Sequence, residues 1–150
     1  MTIEIVNDNK KSKDYWGLLL DADPSEAMID RYLDKGDMFV MKDGSAVICV
    51  AVAIGISDTV CELKNIATAV DCRNQGYASK MIDYLLSYYA PQYGVMQVGT
   101  SQSGVEFYEK LGFIYSHTVK NFFKDNYHPQ PLEENGVPCV DMIYLKKSTK

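Results

Sequence analysis

The most restrictive feature of this chain lies at residues 61–82, where a buried-strand pattern runs directly into a helix through a glycine-bearing turn. Leu63, Ile66 and Val70 keep the first half apolar, and the β-branched Thr68 and Val70 favour extended backbone. In the second half Met81, Ile82, Leu85 and Leu86 recur at i, i+1, i+4 and i+5, one face of a helix. The junction, Arg73-Asn74-Gln75-Gly76-Tyr77-Ala78, sets Gly and Ala where a bulky side chain would block an approaching group. The first amides of a helix have no intrahelical partner and sit at the positive end of its dipole. A turn of this kind is an anion cradle, suited above all to phosphate.

Around that stretch the remaining elements follow from periodicity and turn chemistry. Residues 2–6 read as a strand and 12–22 as a helix whose apolar face is Tyr15, Trp16, Leu18, Leu19 and Leu20. Asp23 and Pro24 predict a second helix start, with Asp23 as cap; Met28, Ile29, Tyr32 and Leu33 form its stripe and Gly36 closes it. A strand over 37–42 ends at Asp43-Gly44, a two-residue hairpin signal, and strands over 45–57 and 59–70 follow. Then come a helix over 74–89, a strand over 93–99, a helix over 103–111, a strand over 113–123, a Pro- and Gly-bearing loop over 125–138 and a last strand over 139–146. This order predicts an α+β fold: one domain over 1–150, with a mixed, mostly antiparallel sheet of about seven strands and about four flanking helices.

Composition narrows the function classes. A net charge of −5 and a pI near 4.9 argue against a nucleic-acid partner and favour a cationic small molecule. Cys49, Cys61, Cys72 and Cys139 have neither zinc-knuckle nor CxxC spacing, so no metal site is expected. Four reduced thiols in a cytoplasmic protein is the first reading, and two disulfides in a secreted one the alternative. Met1-Thr2-Ile3-Glu4 lacks the basic start and apolar block of a signal peptide, and the apolar run 46–56 is too short to span a bilayer. His117 and His128 have no spacing for metal binding or nucleophile activation.

Three segments together resemble the GNAT superfamily of acyl-CoA-dependent N-acyltransferases. Arg73-x-x-Gly76-x-Ala78 resembles its Gln/Arg-x-x-Gly-x-Gly/Ala signature. Glu62-Leu63-Lys64-Asn65-Ile66-Ala67 is similar to the family's fourth strand, with Glu62 standing 11 residues before Arg73. Phe107-Tyr108-Glu109-Lys110-Leu111-Gly112-Phe113 is similar to its FYEKLGF segment, and the resemblance runs over residues 37–145. The loop and last strand, 125–145, resemble small bacterial members of the YvbK type.

The resemblance implies acetyl-CoA as co-substrate. Its pantetheine arm would pair with the backbone at Ile66, Ala67 and Thr68, between splayed fourth and fifth strands. Its pyrophosphate would lie on the amides of Arg73, Asn74, Gln75, Gly76, Tyr77, Ala78 and Ser79. It implies Tyr108 as the acid that protonates the departing thiolate, a phenol being protonated at neutral pH; the alternative is core packing beside Val105 and Leu111. It implies Glu62 as the base that takes a proton from the amine, directly or through water; the alternative is a strand carboxylate in a salt bridge. Arg73 either neutralises phosphate or caps nearby backbone. Ser101 stands where many members carry a coenzyme-binding Asn. Direct transfer is the family's habit, so Cys72 is not assigned as a nucleophile. The acceptor pocket would draw on Tyr15, Trp16, Asp21, Asp23, Tyr32 and residues 122–134, whose carboxylates and aromatics suit a cationic amine. A small primary amine is the expected acceptor; a protein lysine or N-terminus, and a non-catalytic CoA-binding module, are the alternatives. Relatives are commonly homodimers.

Overall fold

The computed structural model describes residues 1–150. Its strands are β1 (Thr2–Val6), β2 (Asp37–Asp43), β3 (Ala46–Gly55), β4 (Val60–Thr68), β5 (Val95–Thr100), β6 (Ile114–Val119) and β7 (Met142–Ser148). Its α-helices are α1 (Lys13–Ala22), α2 (Glu26–Asp30), α3 (Tyr77–Tyr89), α4 (Val105–Lys110) and α5 (Phe122–Asn126). Single 3-10 turns occupy Val70–Cys72 and Gln102–Gly104. The seven strands form one sheet in the order β1-β2-β3-β4-β5-β7-β6, antiparallel throughout except for the parallel β4–β5 pair. No helix is long and apolar enough to cross a membrane.

The sheet is covered on both faces, as the unbroken apolar run of β3 requires. Cys49, Ala51 and Ala53 of β3 pack with Met81, Ile82 and Leu85 of α3 on one face. Val50 and Val52 pack with Leu19 of α1, Ile29 of α2 and Leu33 on the other. A third, smaller cluster joins Phe123, Tyr127 and Cys139, with Met28 and Met142 against it.

Strand β4 does not keep strict alternation. Val52 faces Asn65 while Ala53 faces Leu63, so Lys64 is an extra residue, a β-bulge. Before it, Cys61 and Leu63 face α3; after it, Ile66 does. The opposite face therefore receives Glu62, then Asn65 and Ala67. Pairing of β4 with β5 ends at Leu63–Val98, one residue before the bulge. Beyond that point β4 remains paired with β3 as far as Thr68–Cys49, but its other edge is open.

Four local expectations change. The second helix is capped by Ser25, whose hydroxyl accepts from the Met28 amide, while Asp23 is the C-cap of α1. It runs only over Glu26–Asp30 and continues as turns towards Gly36. Helix α3 begins at Tyr77 rather than 74, because Asn74 (φ 61°) and Gly76 (φ 84°) are left-handed and cannot belong to an α-helix. The strand expected over 113–123 stops at Val119. Asn121 is left-handed (φ 60°), its amide donates to the Asp141 carboxylate, and the chain turns into α5. The last strand begins at Met142 rather than 139.

Candidate active site

Three adjoining cavities follow β4, the first two at its open edge and the third where it is still paired with β5. The first, about 390 Å³, is bounded by Ile66, Ala67 and Thr68 on one side and by Arg73, Asn74, Gly76, Tyr77, Ala78 and Ser79 on the other. Within α3 the earliest intrahelical bond runs from the Lys80 amide to the Gly76 carbonyl, 3.1 Å. The amides of Tyr77, Ala78 and Ser79 therefore lack an intrahelical acceptor, and no side chain caps them. Gly76 supplies the positive φ, and nothing lies within 4 Å of the position a Cβ would take. An uncapped helix start beside an unpaired strand edge fits a ligand with both a phosphate and an amide-bearing arm. Arg73 takes the backbone-capping alternative: its Nε donates to the Thr68 carbonyl at 3.2 Å, and one Nη lies 3.7 Å from the exposed Asp21 carboxylate. Gln75 also turns inward, its Nε2 donating to the Asp71 carbonyl at 3.4 Å.

The second cavity, about 340 Å³, fills the gap where β4 and β5 diverge. Leu63 to Ile66 line one wall, Val98 to Ser101 the other, and Tyr108 is among its lining residues. Tyr108 is 8% exposed, packed edge-on against Phe107 and Phe113. Burial pushes its phenol well above the ordinary tyrosine range, so it stays a proton donor. The core-packing alternative is seen in the ring contacts, and the same residue also lines the cavity wall. Asn65 is 4% exposed; its Nδ2 donates to the Leu19 carbonyl and the Tyr32 hydroxyl, both at 3.1 Å, and its Oδ1 has no partner in the protein.

The third cavity, about 370 Å³, holds Glu62. The carboxylate is 6% exposed, with Lys64 Nζ on one oxygen at 2.7 Å and Gln97 Nε2 donating to the other at 2.6 Å. Asp23 lines both the second and the third cavity. It is 8% exposed and accepts from the hydroxyls of Tyr32 (2.9 Å) and Tyr127 (2.7 Å) and from the Ser25 amide (3.3 Å). Burial first, and then this carboxylate, push both phenols far up. Gly99 separates the two chambers: a Cβ there would come within 2.8 Å of the Tyr144 ring and 2.9 Å of the Met142 sulfur.

The expected site residues divide accordingly. The structure brings Ile66, Ala67, Thr68 and the turn 73–79 together, sets Tyr108 and Ser101 in the middle, and Glu62 beyond them. Tyr15 and Trp16 line none of the three cavities; they pack beside the α1 core. Glu133 is not an acceptor-pocket acid. Its oxygens receive the Gln102 and Ser103 amides at 3.1 and 3.3 Å, and Cys139 Sγ lies 3.5 Å away. Burial works against its charge, but Ser101, Ser103 and Cys139 outweigh it and hold the carboxyl below the usual range. Ser101 lies near Glu133, and the Glu134 amide donates to Ser103 Oγ at 2.9 Å. Sequence reasoning missed Asn65 and Gln97, and took in Tyr127 only as one residue of the pocket segment 122–134. Only the polar character of Asn65 and Gln97 within apolar strands marked them.

The comparisons with known proteins agree with this geometry. A family model described as an acetyltransferase (GNAT) domain matches residues 34–115, more than half of the chain. Among curated proteins, the uncharacterized N-acetyltransferase YvbK of Bacillus subtilis is 28% identical over 134 residues, covering 87% of this chain and 86% of that one. A GNAT family acetyltransferase from Elizabethkingia anophelis, solved with acetyl-CoA bound, is 34% identical with a TM-score of 0.89, covering 98% and 97% of the two chains. A structure described as an IAA acetyltransferase from Bacillus cereus is 31% identical, with a TM-score of 0.88 and 98% coverage of both chains. With the uncapped helix start and the diverging strands already in place, these matches make the chain an acyltransferase and a member of the GNAT acetyltransferase family.

Proposed function

We propose that this protein transfers the acetyl group of acetyl-CoA to the primary amine of a small molecule, by direct attack while both are bound. The carrying observation is continuity. Asp21, Ala22 and Ile66 are shared by the first and second cavities, and Asp23, Leu63, Lys64, Gly99, Tyr127 and Met142 by the second and third. One passage therefore leads from the phosphate cradle to the buried carboxylates.

The amides of residues 73–79 hold the pyrophosphate, and the open edge at Ile66, Ala67 and Thr68 receives the pantetheine arm. Asp23 and Glu62 attract the acceptor as its ammonium. Glu62 then takes a proton, directly or through a water, and the neutral nitrogen attacks the thioester carbonyl carbon. Lys64 and Gln97 hold that carboxylate in one orientation. As the new C–N bond forms and the C–S bond breaks, Tyr108 gives its proton to the leaving sulfur, and the second proton shed by the acylated nitrogen restores the Tyr108 phenol, directly or through water. Acetylated amine and free CoA leave, and the proton on Glu62 returns to solvent. Ser101 lines the passage beside the coenzyme.

The test has two parts. Calorimetric titration with CoA and acetyl-CoA should show one site per chain. Free-thiol release from acetyl-CoA over a panel of small amines should then identify turnover that exceeds hydrolysis. Absence of CoA binding would end this reading.

A further inference from the structure

We infer that the acceptor is a zwitterion: besides its amine it carries an anionic group, in the first instance a carboxylate, which Arg31 and Lys35 receive at the outer side of the third cavity. This rests on the acyl-transfer reading above. It adds what the far end of the acceptor must look like.

The charges lining the chamber carry the inference. They are Asp23 and Glu62 against Arg31, Lys35 and Lys64. Lys64 is taken up by Glu62 at 2.7 Å. Asp23 is held by two tyrosine hydroxyls and an amide, with no cation of the protein beside it. Arg31 and Lys35 make no ion pair and no side-chain hydrogen bond with any other residue. The chamber thus presents uncompensated negative charge where it meets the thioester passage and uncompensated positive charge elsewhere in its lining. A purely cationic acceptor, such as a diamine, would match the first and be repelled by the second.

Geometry and chain usage agree. Arg31 is the C-cap of α2 and Lys35 follows four residues later, in the turns leading to β2. The chain has only two arginines: Arg73 lines the coenzyme cavity and Arg31 the acceptor cavity. A guanidinium pairs with a carboxylate through two parallel hydrogen bonds, which an ammonium cannot reproduce. Between the charged groups the lining is Met28, Ile54, Ile56, Phe122 and Tyr144. The class that fits is an amino acid, or an amino-acid-like molecule, with an apolar or aromatic side chain. A cavity of about 370 Å³ holds one such molecule.

The experiment compares matched acceptors that share one amine and one side chain: L-phenylalanine, L-phenylalaninamide and phenethylamine, with the leucine series alongside. Initial rates of thiol release are measured at saturating acetyl-CoA. The free amino acid should exceed its amide in kcat/KM by at least about tenfold, the scale of one charge-assisted pair. In the Arg31→Ala/Lys35→Ala double variant that ratio should collapse towards one, chiefly through the acceptor KM. Arg31→Lys should restore part of it. A merely structural role for the pair would lower amino acid and amide alike, and that result overturns the inference. So does an amide, simple amine, diamine or peptide N-terminus that equals or outperforms the amino acids. Either outcome leaves acyl transfer standing, whereas no thiol release with any amine removes the proposed function and this inference together.

Discussion

The two ends of the passage are built differently. The coenzyme end is local: Ile66 to Ser79 is one continuous piece of chain, and a left-handed glycine and an unpaired strand edge make the cradle. The acceptor end is assembled at long range. Asp23 from the α1–α2 junction meets Tyr127 from beyond α5 and, through Tyr32, Asn65 from β4. Most of one end can be written in fourteen consecutive residues, with Asp21, Ala22 and Phe107 completing its wall; the other exists only when the sheet and three helices have closed around it. A local site tolerates variation elsewhere in the chain. A site assembled at long range changes character with every loop that borders it, which suits a family whose members share one coenzyme.

Four substitutions test this contrast. The largest effect belongs to Gly76→Glu, which forces a side chain onto positive φ and sets a carboxylate against the anion cradle. It should abolish detectable CoA binding by calorimetry while far-UV circular dichroism stays native. Persistent binding would mean that the cradle is not where the diphosphate sits. Tyr108→Phe comes next, lowering kcat by about 10² to 10³ with the acetyl-CoA KM little changed. Because burial raises this phenol, the wild-type rate should show no alkaline loss attributable to Tyr108 up to about pH 10, the ordinary phenol range. Full activity of the Phe variant across pH would remove the acid assignment.

Glu62→Gln should lower kcat/KM for the acceptor by about ten- to a hundredfold near neutrality. The deficit should shrink as pH rises and the amine arrives already neutral. A deficit constant with pH would assign Glu62 to structure, as its contacts with Lys64 and Gln97 also allow. Smallest is Tyr127→Phe, which removes one donor from the buried Asp23. It should cost about 1.5 kcal/mol in urea unfolding, within the range for a hydrogen bond to a charged group. It should also raise the acceptor KM without touching that of acetyl-CoA. Equal effects on both substrates would erase the distinction between the two ends.

The same contrast explains what the sequence made legible. The seven strands and the cradle could be read because strand periodicity, the hairpin at Asp43-Gly44 and the turn at Gly76 are short-range signals. The strand expected over 113–123 takes in the first two residues of α5, because Phe122 and Phe123 continue an apolar pattern, and the end of the helix falls in the expected loop. Asn121 breaks that pattern, but its left-handed backbone is stabilised from Asp141, 20 residues away. Asp23 looks like a helix cap in isolation, and only Tyr32 and Tyr127 reveal it as a buried anion. Glu133 was read as a pocket acid for the same reason in reverse, since its amide partners lie about 30 residues upstream. On β4, strict alternation would put Asn65 and Ala67 beneath α3. The surplus residue Lys64 breaks the count, and no local signal announces it.

That surplus residue carries a cost and a benefit that are one and the same. A chain lacking Lys64 would keep Glu62, Asn65, Ile66 and Ala67 on their present faces, so neither core would notice the loss. Its fourth and fifth strands would be free to go on zipping past Leu63 and Val98. Such a molecule would be better knit, its own backbone occupying the edge that the proposed function gives to a coenzyme arm. On that proposal, room for the arm is kept by withholding hydrogen bonds that the sheet would otherwise form with itself.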